Sequence, residues 1–166
     1  MSVNDIFDQT EDAYLSLIHP VVSDDAYRQQ IAPIITLAPC VSEYLVAEMI
    51  TGESWRERLV GIFMAMARPP ASLIEPLMQS LRDPRGISIV PACAALAVLA
   101  RRGLFTMPEA FAEMFDRQAF DGEVGWALDK AMHFAGLREG EVAGNGPNYG
   151  QVFDDHVWVY SWGHAA

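Results

Sequence analysis

Between Leu73 and Ala100 the chain reads LIEPLMQSLRDPRGISIVPACAALAVLA, two apolar stretches of helical period joined by an Asp83-Pro84-Arg85-Gly86 turn. In the first, Ile74, Leu77, Met78 and Leu81 lie at i, i+3, i+4 and i+7, so one face is oily and the other polar. The second, Ile87 to Ala100, is apolar nearly all round and predicts a central helix packed on both sides, its alanines permitting close approach. It is also too short to span a bilayer, and Pro91 interrupts it. A helix of that kind needs helical neighbours, and the pair predicts a stack of helical hairpins.

The same spacing recurs along the chain. Tyr27, Ile31, Ile34 and Ile35, then Val41, Tyr44, Leu45 and Met49, then Leu59, Ile62, Phe63 and Met66 each fit one helix face. Met107, Phe111, Met114 and Phe115, and Val124, Leu128, Ala131 and Met132, do the same, and a further helix is expected over Asp5 to Ile18. Ser54 with Glu57, Ser72 with Glu75 and Thr106 with Glu109 match the capping box, which satisfies unpaired amides at a helix start. Gly52, Gly103 and Gly136 stand where left-handed C-terminal residues belong. Eight helices result. Ser54 and Ser88 are separated by the same interval as Ser72 and Thr106, about 34 residues, the size of period that stacked helix pairs show.

In the clearest unit Leu73, Pro76, Leu77 and Leu81 precede Asp83, and Ala92, Ala95, Leu96 and Leu99 follow. With these residues the chain resembles the HEAT repeat family: a leading helix with a proline among leucines, an Asp-containing turn and an alanine-rich second helix. Ser54-Trp55-Arg56 leading into Leu59 is similar to the start of another second helix with its arginine. Ile89-Val90-Pro91 departs from the pattern by replacing that arginine in the clearest unit. The likeness spans residues 40 to 135 and implies an all-α superhelix of antiparallel hairpins. The tetratricopeptide alternative fails, because Trp55 is not followed by Leu-Gly at the required offset.

After Gly136 the composition changes. The segment 137–151 is rich in glycine and contains Pro147, which predicts a loop. VFDDHVWVYSW then alternates imperfectly and is rich in Val, Trp and Tyr, which predicts an extended or β tail lying back on the helices. The expected organisation is therefore a helical domain over 1–136 and a loop with an aromatic tail over 137–166, packed on the same domain. Trp158, Tyr160 and Trp162 would cap the last helix pair or contact a partner.

Charge narrows the function. Twenty-two acidic residues against 11 basic give a net charge of −11, and Lys130 is the only lysine. Such a field favours basic protein partners and disfavours a phosphate backbone, so nucleic-acid binding is not expected. The N-terminal stretch MSVNDIFDQTEDAY has neither a basic nor an apolar signal region, and a cytoplasmic location is expected. Cys40 and Cys93 sit among apolar neighbours and read as buried reduced thiols.

Chemistry-bearing groups are scattered. Asp154, Asp155 and His156 are metal-ligand types, but neighbours in an extended chain point to alternating sides. His19, His133 and His164 stand apart, and the serines and threonines are accounted for mostly as caps. Glu109 and Glu113 read as a cap and a solvated face rather than as an acid–base pair. The glycines 144, 146 and 150 lack the Lys-Ser/Thr of a phosphate loop. No catalytic residue, cofactor site or metal site is assigned.

A stack of hairpins offers a concave surface formed mainly by its second helices. Its expected contacts are Arg56, Glu57 and Arg68, then Arg101 and Arg102, then Glu123 and Asp129, with Asp154, Asp155 and Trp158 from the tail. In size, acidity and lack of catalytic groups the chain is similar to bacterial immunity proteins, and that resemblance implies a protein that neutralises a basic toxin by binding it. Two alternatives remain: an enzyme on a HEAT-like scaffold, of the alkylpurine DNA glycosylase or bilin lyase kind, and a homo-oligomer, with a homodimer its simplest form, held by the aromatic tail.

Overall fold

A computed structural model describes residues 1–20, 25–67, 71–140, 142 and 149–161. All regular structure among them is helical: α1 (Val3–Thr10), α2 (Asp25–Leu37), α3 (Glu43–Ile50), α4 (Trp55–Ala67), α5 (Ile74–Arg82), α6 (Ile89–Arg101), α7 (Glu123–Phe134) and α8 (Tyr149–Ser161). Short 3₁₀ turns join several of them, including Glu11–Leu17 between α1 and α2. No described helix is long and apolar enough to cross a membrane.

The apolar stretch after the Asp83 turn folds as α6, and every residue from Ile89 to Leu99 is buried. It packs against α4, α5, α7 and α8. α3 and α4 form one hairpin and α5 and α6 another, with α3 against α5 and α4 against α6. The α3–α4 contact is close because Gly61 faces it: a Cβ there would lie 2.9 Å from the Met49 Cβ and 3.0 Å from the Ile50 amide. α5 and α6 tolerate Pro76 and Pro91 because both fall in the first turn, where an amide has no partner within the helix.

Arg58 ties the two hairpins together. Its side chain is buried; Nε donates to Gly52 O at 2.6 Å, and Nη1 donates to Ser80 O at 3.1 Å and to Asp83 O. Nη2 reaches Thr51 O and the Asp83 carboxylate, at 3.5 and 3.4 Å. The guanidinium thus satisfies the carbonyls that end α3 and α5, which no intrahelical amide can reach. Arg85 repeats the link outside, with Glu53 at 2.8 Å and Asp83 at 2.9 Å.

Four expectations are corrected. Residues 149–161 are helical rather than extended: Phe153, His156 and Tyr160 recur at helical spacing and are buried, and α8 packs on α6. Burial of that face outweighs the strand preference of Val, Trp and Tyr. Residues 107–115 form only a 3₁₀ turn, Phe111–Met114, with Phe111 N bonded to Pro108 O and Glu113 N to Ala110 O. Their aromatics still fill the core, Phe111 meeting Phe105 and Phe115 edge-on at 6.0 and 5.3 Å.

The capping boxes expected at Ser72 and Thr106 also fail, while Ser54 caps α4 through the Arg56 amide. α5 begins at Ile74 with no side-chain cap, Ser72 donates to Glu43 instead, and no α-helix starts at Thr106. The capping box that does form is Ser2 with Asp5, and Ser42 caps α3. Cys93 is buried as expected, whereas Cys40 is exposed on the turn before α3. Gly103 and Gly136 do end α6 and α7 with positive φ, of 71° and 80°.

Candidate functional site

α7 contributes to two open clefts. The first has a volume of about 450 Å³ and is lined by Glu109, Ala112, Glu113, Arg117, Asp129, Met132, Leu137 and Arg138. Asp129 is its centre. Arg117 donates to both carboxylate oxygens at 2.9 Å, and Arg138 pairs with the same carboxylate. The Asp129 side chain is 14% exposed, so this bidentate pair is partly desolvated and orders the wall. Its hydrogen bonds raise the Arg117 pKa above its ordinary value.

Backbone geometry sets up that wall. Gly125 N donates to Arg117 O at 3.1 Å, and a Cβ on Gly125 would lie 2.7 Å from that oxygen. Before it, Phe120, Asp121 and Gly122 all have positive φ, at 54°, 54° and 86°. This left-handed turn brings the 116–119 segment back over the start of α7 and leaves the Phe120 ring 48% exposed. Glu109 and Glu113 line the same cleft; each is exposed and makes no ion pair among the described residues, although Glu113 lies within the field of Arg117. Exposed Met114 and Leu137 supply apolar area from the same two segments.

The second cleft, about 350 Å³, is lined by Val98, Arg101, Arg102, Phe134 and Ser161. Arg101 stacks over the Phe134 ring at 4.9 Å and donates to Phe134 O at 3.0 Å. Arg102 donates to Tyr160 O at 2.9 Å, and burial lowers its pKa.

The expected contact residues stand in several places. Arg101 and Arg102 share the second cleft, and Asp129 stands in the first. Arg56 is exposed far along the chain, over the rings of Trp55 at 5.2 Å and Tyr14 at 5.8 Å, and Glu57 beside it is half-buried. Glu123 is half-buried in the first turn of α7, and burial raises its pKa. Asp154 is exposed on α8, Asp155 accepts from Gln151 at 2.7 Å, and Trp158 packs half-buried on the core. Arg68, Trp162 and His164, and the glycines 144 and 146, lie outside the described residues.

Arg117 and Arg138 were not among the expected contacts, and only their (i, i+12) and (i, i−9) separation from Asp129 across the chain turns made them partners. Among the described residues no three His, Cys, Asp or Glu side chains could hold a metal ion together. His156 is buried on α8, its ring 5.6 Å from that of Tyr160, and burial pushes its pKa down to about 3. His156 Nε2 and Tyr160 Oη are both buried without a hydrogen-bond partner.

No protein family, curated protein or solved structure matches the chain.

Proposed function

We propose that this chain is a cytoplasmic, non-catalytic protein-binding module of the immunity type, which neutralises a basic protein toxin by direct contact. Its body is a HEAT-like superhelix. In support of that architecture, α3 packs on α5 and α4 on α6, while Arg58 of one pair is bonded to the Asp83 turn of the next. The binding surface is the cleft around Asp129.

The observation that carries the reading is the charge arrangement there. Asp129 is paired with Arg117 and Arg138, while Glu109 and Glu113 are exposed on the same cleft and make no ion pair among the described residues, in a chain of net charge −11. A lysine or arginine from a partner, flanked by apolar side chains against Met132 and Leu137, meets both kinds of surface.

The test is co-purification of the tagged chain from its source cell, followed by reconstitution with the purified partner. A stoichiometric basic protein whose toxicity is relieved by this chain, with association slowing as salt rises, is the expected result. A partner bound equally well at low and high salt, or turnover of a small molecule with no partner recovered, overturns the proposal.

A further inference from the structure

From the second cleft, between the C-terminal ends of α6, α7 and α8, we infer a binding site for a small organic carboxylate with an apolar body. The inference does not depend on the protein partner. In this acidic chain Arg58, Arg82, Arg85, Arg117 and Arg138 each hold a carboxylate. Arg101 and Arg102, adjacent in the last turn of α6 and at its cap, hold no carboxylate among the described residues: they donate to the carbonyl oxygens of Phe134 and Tyr160, and Arg101 lies over the Phe134 ring.

The carbonyl dipoles at the end of α6 favour these guanidinium groups but carry only a partial charge, less than a carboxylate supplies. Arg102 Nη1 is moreover buried with no acceptor at all. Two cations without a full counter-charge among the described residues therefore flank a cleft to which none of their acidic side chains contributes, in a molecule with twice as many acids as bases. Of the other lining groups Val98 and the Phe134 ring are apolar, Ser161 turns its hydroxyl to Val157 O at 2.7 Å, and the cleft of about 350 Å³ lies in the range that holds a small molecule. An anion alone would leave that apolar wall wet, and a hydrocarbon alone would leave the cations as they are. A carboxylate carried on a short aliphatic or aromatic chain satisfies both, its head between Arg101 and Arg102 and its body along Val98 and Phe134.

Hexanoate is the probe, with hexanamide as the uncharged control of the same shape, each titrated into the full chain and followed by backbone amide NMR. Saturable shifts centred on Val98, Phe134 and Ser161 are expected, with a Kd of about 1 mM for hexanoate and at least about tenfold weaker binding of the amide. Arg101→Gln, an exposed position whose loss leaves the core intact, is expected to weaken hexanoate about fivefold or more, and Arg102→Gln likewise. Shifts that do not saturate by about 20 mM, equal binding of acid and amide, shifts centred elsewhere, or unaltered affinity in Arg101→Gln would each overturn the inference.

Discussion

Arg58 shows how one side chain can serve the ends of two helices. Its guanidinium is 1% exposed, while the Asp83 carboxylate it touches is 55% exposed, so the carbonyls of Gly52, Ser80 and Asp83 account for more of its stabilisation than the ion pair does. Arg58→Met strands those carbonyls and is expected to cost about 3 kcal/mol or more in urea unfolding, whereas Asp83→Asn costs under about 1 kcal/mol. Equal losses would show that the ion pair dominates. Gly61→Ala, by forcing α4 away from Met49 and Ile50, is expected to cost about 1–3 kcal/mol in the same measurement. The importance of Arg58 was only half legible in sequence: an arginine near the start of that helix was expected, but at Arg56, because residues on the same turn cannot be ranked by burial without knowing which way the helix faces its neighbour.

Among the helices, α6 was the most legible and α8 the least. An unbroken apolar run has one solution, burial all round, and α6 adopts it. VFDDHVWVYS supports two periods at once, and only the presence of α6 as a docking surface selects the helical one, so local propensity misleads there. The Met107–Phe115 segment failed differently, since helical spacing of apolar residues also suits the consecutive 3₁₀ turns that follow Pro108.

The docking of α8 has a pH signature. His156 is neutral in the folded chain, with a pKa of about 3, and takes up a proton near its ordinary 6.5 when unfolded, so below that value the unfolded state binds more protons and stability falls. Tyr160, neutral with its pKa raised by burial, adjoins it, and the charge of His19 adds to the lowering; Tyr27, neutral for the same reason, lies in the field of Asp155 and acts on Tyr160. From pH 7 to pH 4.5 the linked loss is about 2–3 kcal/mol. Loss above pH 4 is expected to be much smaller in His156→Phe, as followed by urea unfolding across that range; an unchanged pH profile would remove His156 as its cause. Glu123, whose pKa is raised by burial, acts in the opposite sense, since its protonation on acidification favours the folded state.

At the scale of the whole molecule, the clefts beside α7 joined residues that sequence reasoning had spread over a common concave face. Asp129, Arg101 and Arg102 were legible as charges on helices, but their separation into an acidic cleft and an arginine-rich one depends on the turns after α6 and α7, at Gly103 and Gly136, and on the left-handed Phe120–Gly122 stretch that leads into α7. The most direct measurement is calorimetric titration of the purified partner into the chain and into Glu109→Lys/Glu113→Lys, two exposed positions whose reversal leaves the core untouched. The account predicts unchanged thermal unfolding with affinity reduced at least about tenfold by reversing these charges. Undiminished affinity in that variant would contradict it.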